Sequence, residues 1–234
     1  ANIITQNNIN VSTILSIKVI EGDFPLESIS SEYSQLQSIE IPKKFFTDKI
    51  NNEQFKDMTS LITVIINGAT EIGTSSFEGC TKLQTIQFNS CTIINSNSFK
   101  SCSSLTSITM PNLTTIGSYC FQGTAITTVK FDQLTSMSED GYCFYFCTSL
   151  ETVELNSIET LTQNAFEGCT SLHTITGAKI TQIKNNCFNL CLKLKTFNLN
   201  SLERIGNNVF ENLNSIIEVN FSNVKRIDSN AYKN

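Results

Sequence analysis

Apolar residues recur along this chain with a period far longer than that of a helix or a strand. Phe55, Phe77, Phe99, Phe121, Phe144, Phe166, Phe188 and Phe210 are followed by Tyr232, and every interval is 22 residues except one of 23. Six residues beyond most of these anchors begins a block of the form apolar-x-x-apolar-x-apolar. The copies are "LITVII" at 61, "LQTIQF" at 83, "LTSITM" at 105, "ITTVKF" at 126, "LETVEL" at 150, "LHTITG" at 172, "LKTFNL" at 194 and "IIEVNF" at 216. Earlier copies, "ILSIKV" at 14 and "LQSIEI" at 36, bring the number to ten. Two more apolar columns stay in phase, one through Cys91, Leu113, Leu134 and Ile158, the other through Ile72, Ile94, Ile116 and Met137.

Alternation inside each block predicts a short strand whose fourth and sixth places point inward and whose third, fifth and seventh places face out. A unit of 22 residues cannot bury a core alone, whereas stacked copies share a continuous one. The pattern therefore predicts a single solenoid of about ten repeats over 14–234, preceded by a lead-in or cap at 1–13. An insertion near 42–52, within "PKKFFTDKINNEQ", lengthens one early interval, and one-residue adjustments near "QGTAI" and "SEDGYC" belong in loops. Ten strands at about 4.8 Å spacing would present a face of about 43 Å.

The block is the strand signature of a leucine-rich repeat, and so short a unit leaves little room for a full α-helix on its outer side. The stretches "CTSLHTI" and "CSSLTSITMPNLTTIGSYCF" resemble the repeats of BspA-like leucine-rich-repeat proteins, which occur on bacteria and in many copies in anaerobic protists. The resemblance covers about 14–234. It implies a right-handed curved leucine-rich-repeat solenoid, mostly β, with a parallel β-sheet on the concave side and short 3-10 turns and loops on the convex side. It also implies a protein, often on a cell surface, that binds host proteins, matrix or other microbes.

The nine cysteines follow the same period. Cys80, Cys102, Cys147, Cys169 and Cys191 lie three residues after the anchor, where Met58 and Leu213 stand in other copies, and Cys120, Cys143 and Cys187 lie just before it, where Ala165 and Val209 stand. Exchange with Met, Leu, Ala and Val marks inward packing positions, since a free cysteine behaves as a small hydrophobe. The Cys-x-x-x-Cys spacing in "GYCFYFC" is then a by-product of two core columns. A ladder points its thiols in parallel, whereas a tetrahedral zinc site needs its ligands to converge, so neither metal nor cofactor is expected.

Composition narrows function further. A net charge of −5 with two arginines, Arg204 and Arg226, lacks the basic stripe of a nucleic-acid binder. No apolar run approaches 18 residues, so no membrane insertion is expected of this segment. His173 is the sole histidine, four residues after an inward Cys169, and no phosphate loop or calcium loop is present. The chain reads as a non-enzyme. Sequons at Asn10, Asn112 and Asn220 permit glycosylation. The end at "AYKN", without a polar capping unit, suggests a fragment, an unusual cap or end-to-end self-association.

Recognition is expected on the outward strand places. The third place is nearly all Ser or Thr, which suits strand pairing, whereas the fifth varies: Lys18, Glu40, Ile65, Gln87, Thr109, Lys130, Glu154, Thr176, Asn198 and Asn220. Charges replace neutral side chains in mid-sheet at Lys130 and Glu154, beside Asp132. These three, with His173 and Lys195 at the rim, are the candidate protein-binding residues. Seven acids between Asp132 and Glu167 meet no basic residue, whereas Lys179, Lys184, Lys193, Lys195 and Arg204 follow, a polarity able to steer a partner. Two function classes follow. One is a cell-surface adhesin or antigen, favoured by the resemblance; the other is an intracellular scaffold or adaptor, favoured by free cysteines and the absence of a leader in this chain. The partner in either case is another protein or peptide.

Overall fold

A computed structural model describes residues 11–20, 29, 32–46, 48–213 and 222–232. The strand block at 216, with Asn220, and the sequon at Asn10 lie outside the described residues. The chain winds as a right-handed curved solenoid of parallel strands with almost no helix. The only 3-10 helices among the described residues are Val11–Thr13 and Lys43–Phe45.

The concave side carries the predicted blocks as strands. Ser16–Lys18, Ser38–Ile41, Thr63–Ile66 and Thr85–Gln87 form one parallel four-stranded ladder. Thr128–Lys130, Thr152–Glu154, Thr174–Thr176 and Thr196–Asn198 form another. Register is in phase with the repeat: Ser38 faces Thr63, Thr63 faces Thr85, and Thr152 lies between Thr128 and Thr174. Alternation holds as expected, with Val64 and Ile66 fully buried between half-exposed Thr63 and Ile65. The continuous ten-stranded face does not form. The block at 105–110 carries no strand, so the concave side divides into two ladders. The break falls where block spacing drops from 22 to 21 residues, between 105 and 126, before rising to 24. The offset does not exchange inward for outward places: Leu105 and Met110 stay buried, and the Thr127 N–H still bonds the Thr106 carbonyl at 3.2 Å.

The column through Ile72 and Ile94 forms its own ladders. Two-residue strands Glu71–Ile72, Ile93–Ile94, Thr115–Ile116 and Ser136–Met137 pair in parallel, as do Thr160–Leu161, Gln182–Ile183, Arg204–Ile205 and Arg226–Ile227. Between Ser136 and Thr160 the spacing is 24 and this ladder breaks, although the concave pair Thr128–Thr152 bridges the same spacing. Ile50, in the segment expected to be an insertion, joins this side through a bridge to Ile72. Phe46 packs so tightly over Gly68 that a methyl group there would lie 1.4 Å from its carbonyl oxygen.

The convex side is closed by single i→i+3 turns, such as Cys80 N–H to the Phe77 carbonyl at 3.1 Å and Leu83 N–H to the Cys80 carbonyl at 3.0 Å. Each turn is also bonded to the next rung: Tyr142, Phe144 and Phe146 donate their N–H groups to the carbonyls of Gln163, Ala165 and Glu167 at 2.8–3.1 Å. That alignment requires left-handed backbone two residues before and two residues after the anchor. The first position holds Ser75, Asn97, Asn164, Asn186 and Asn208, and the second holds Gly79, Ser101, Gly123, Gly168 and Asn212, all with φ between 53° and 76°. Of these, glycine and asparagine visit this region at low cost.

The core is one cluster. The anchor phenylalanines stack ring on ring, with centroids 5.2 Å apart for Phe144–Phe166 and 5.6 Å for Phe166–Phe188 and the ring planes nearly parallel in both. All nine cysteines are buried and unpaired. Beyond filling space, the column three residues after the anchor reaches back one rung. Cys80, Cys102, Cys147, Cys169 and Cys191 donate their thiols to the carbonyls of Phe55, Phe77, Phe121, Phe144 and Phe166 at 2.9–3.1 Å. Thr124 occupies the same column and donates to the Phe121 carbonyl at 2.9 Å.

Candidate functional site

The outward column of the concave ladders presents the candidate residues from strand ends. Lys130 and Glu154 are direct partners in the parallel register, and the Lys130 ammonium lies 2.9 Å from a Glu154 carboxylate oxygen. The hydrogen bond and charge of Glu154, then the charge of Asp132, raise the pKa of Lys130 above its ordinary value. Asp132 is exposed and accepts a hydrogen bond from the Asn156 amide at 3.4 Å, while its carbonyl accepts one from Ser157 Oγ at 2.7 Å. Asp132, Lys130 and Glu154 are thus brought together.

His173 and Lys195 are not part of that cluster. They stand at the second place of their blocks, at the strand entrance, about three residues or roughly 10 Å along the strand direction from the fifth place. With Lys193 and Thr196 they line a shallow cleft of about 300 Å³. His173 Nδ1 lies 3.0 Å from Thr174 Oγ1, and its carbonyl accepts the N–H groups of Lys195 and Thr196.

The mid-sheet charge pair is also not unique. Lys18 and Glu40 meet at 2.8 Å on the first two strands of the other ladder, in the same fifth place. Each concave four-stranded ladder therefore opens with a Lys–Glu pair, a recurrence that sequence reading, which singles out Lys130 and Glu154, does not draw from Lys18 and Glu40. The neutral third place supplies partial hydroxyl pairing, Ser16 to Ser38 at 2.6 Å and Thr152 to Thr128 at 3.2 Å. The acidic and basic stretches touch each other where Lys184 bonds Glu139 across two rungs.

Among the described residues no group of three or more His, Cys, Asp or Glu side chains is placed to hold a metal, and no helix is long and apolar enough to cross a membrane. Cys169 donates inward to Phe144, while the His173 ring bonds Thr174, so the two are not paired as nucleophile and base. Asn112 is exposed, with its side-chain amide donating to the Asn89 carbonyl at 2.8 Å.

Comparison with known proteins gives the fold a family. A leucine-rich repeat protein from Bacteroides ovatus is 28% identical with a TM-score of 0.65, covering 76% of this chain and 45% of that one. The T. pallidum leucine-rich repeat protein is 22% identical with a TM-score of 0.59, covering 67% and 77% respectively. A chain of the Drosophila Toll–Spätzle complex shares the fold at 18% identity and a TM-score of 0.56, covering 99% of this chain and 35% of that one. This chain therefore spans less than half the length of the Bacteroides ovatus protein. No curated protein matches it. The family described as BspA type Leucine rich repeat region, in six copies, matches residues 27–140 and 138–234. Its repeats coincide with the stacked rungs, and the chain belongs to the BspA-type leucine-rich repeat family.

Proposed function

We propose that this chain is a cell-surface adhesin or antigen that binds host or microbial protein ligands through its repeat surface. Leucine-rich repeats are non-enzymatic scaffolds that typically bind proteins. The observation that carries the reading is the division of labour along each strand. Buried fourth and sixth places and a nearly uniform third place hold the stack, while the fifth place varies freely on a rigid exposed face. Variation that the fold does not require is where partner specificity can be written. A chain sharing the fold belongs to the Toll–Spätzle complex, an assembly between proteins.

The proposed contact residues are Lys130, Asp132 and Glu154, with His173 and Lys195 as a second contact at the strand entrance. Their exposed ion pair adds little to stability, so its contribution lies in presenting opposite charges at fixed spacing. Immobilised host matrix proteins, with binding of the purified chain followed by interferometry, provide the test. Lys130→Thr with Glu154→Thr restores the residue type of neighbouring rungs; the fold is expected to stay intact and affinity to drop about tenfold, equivalent to about 1.4 kcal/mol. Equal binding by the folded double variant would remove the central concave face from consideration.

A second reading, an intracellular scaffold or adaptor, draws on the nine unpaired thiols. The two separate on the full open reading frame: a leader or a C-terminal membrane span supports the surface protein.

A further inference from the structure

On the convex side the left-handed places hold Glu53 and Leu190 singly, but two neighbouring rungs, those of Phe121 and Phe144, place three aromatic residues there. Tyr119 and Tyr142 occupy the left-handed position before the anchor, at φ 54° and 61°, where most other rungs have Ser or Asn. Phe146 occupies the left-handed position after it, at φ 53°, where neighbouring rungs have Gly123 and Gly168. Bulky side chains in this region are outliers, and such strain concentrates at functional sites. The rings do not go inward. Tyr119 stacks on Tyr142 at 4.6 Å, Tyr142 meets Tyr145 edge-on at 5.2 Å, and Tyr145 meets Phe146 edge-on at 4.6 Å. Phe146 is 42% exposed and lies against the backbone of the next rung, where a methyl group on Gly168 would come within 2.8 Å of its ring.

The surroundings of this platform indicate what it takes. The Lys100 ammonium lies 5.9 Å over the Tyr119 ring, so one edge already accepts a cation from the chain itself. Among the described residues no lysine or arginine covers Tyr142, Tyr145 or Phe146. At the other edge Glu167 is oriented by the Asn164 and Asn189 amides. Burial first and then the Glu167 charge raise the Tyr145 phenol pKa, and burial first, with Tyr142, Tyr145 and last Asp140, raises that of Tyr119, so the Glu167 and Asp140 carboxylates lie close enough to act on these rings. Ring faces beside carboxylates attract guanidinium and ammonium groups. We propose that Tyr142, Tyr145 and Phe146, with Tyr119, Asp140 and Glu167 at the rim, form a convex docking platform for a basic segment of a partner protein, whose arginine or lysine side chain stacks on the rings beside the carboxylates.

The test uses a fluorescein-labelled Gly-Ser-Arg-Gly-Ser-Arg-Gly peptide and its citrulline counterpart, which keeps the shape of arginine without the charge. The wild-type chain should bind the arginine peptide at least about tenfold more tightly than the citrulline one, with affinity falling as salt rises. Tyr142→Asn with Phe146→Gly installs residue types used in other rungs. This variant should melt no lower than wild type yet lose at least about tenfold in affinity for the arginine peptide. Lys130→Thr with Glu154→Thr should leave that affinity unchanged, which separates this platform from the concave face. Equal binding of both peptides, no binding by wild type, undiminished binding by the aromatic variant or a lowered melting temperature in it would each overturn the proposal. Capture of chitotriose in preference to the arginine peptide would overturn it in favour of a carbohydrate platform.

Discussion

Replacing Phe166 with alanine is expected to destabilise the protein by about 3–5 kcal/mol, the range for truncating a buried aromatic ring, and to split its melt into two transitions. The ring is fully buried and stacked on both sides, against Phe144 and Phe188. Its removal deletes both contacts at once and leaves a cavity that the rigid rungs cannot close. In a solenoid each rung touches only its neighbours, so stability is close to a sum of rung and interface contributions. Weakening a central interface therefore lets the two sides unfold separately. The same change at Phe210, near the end of the described stack, should shed the last rungs and leave the main transition in place. Calorimetry of both variants distinguishes the two patterns. A single sharp transition for Phe166→Ala at nearly the wild-type temperature would contradict the nearest-neighbour account.

Raising the pH above 9 is expected to destabilise the chain steeply. Burial pushes the thiols of Cys80, Cys91 and Cys143 up to about 12 from an ordinary 9.0, and those of Cys102, Cys120, Cys187 and Cys191 upward as well. Between these values the folded state keeps protons that the unfolded chain releases, so stability is complete below about pH 9 and falls as pH rises. Each such thiol contributes about 1.4 kcal/mol per pH unit in that window. The three thiols pushed up to about 12 together amount to about 4 kcal/mol one unit above the unfolded value, a large part of the stability of a typical domain. Circular dichroism against pH, with iodoacetamide labelling read by mass spectrometry, should show thiols becoming reactive only as the fold is lost. Cys143→Ala with Cys187→Ala, at a column where Ala165 already stands, should flatten the slope by about two protons. Full labelling of a still-folded chain at pH 8 would refute the buried-thiol account.

Both experiments probe columns that are legible in the sequence, and the reason is the period. Inward residues recur every 22 positions because each rung meets the same neighbours, so Phe166 and Cys143 can be assigned to the core by comparison with Phe144, Ala165 and Val209 alone. Strand alternation likewise identifies Lys130 and Glu154 as outward neighbours. What a repeat count cannot supply is how one rung bonds to the next. The cysteine column reads as generic hydrophobe until the thiols are seen to donate to the phenylalanine carbonyls of the preceding rung, a contact made across about 25 residues of chain. The break of the concave face at 105–110 also shows only in the folded chain, since that block has the same apolar pattern as its neighbours and buries Leu105 and Met110, yet forms no strand.

Sequence by itself therefore determined the solenoid, its core columns and its outward face, because those follow from hydrophobic periodicity repeated over nine anchors. Tertiary structure decided the rest. It paired Lys130 with Glu154 and repeated the pair at Lys18 and Glu40, and it set His173 and Lys195 apart from them. It also gathered Tyr119, Tyr142, Tyr145 and Phe146 into one platform. The physical reason is that rung-to-rung hydrogen bonding imposes left-handed backbone at fixed places whatever residue stands there. A tyrosine or phenylalanine at such a place must turn its ring outward, and only the stacking of successive rungs brings those rings together.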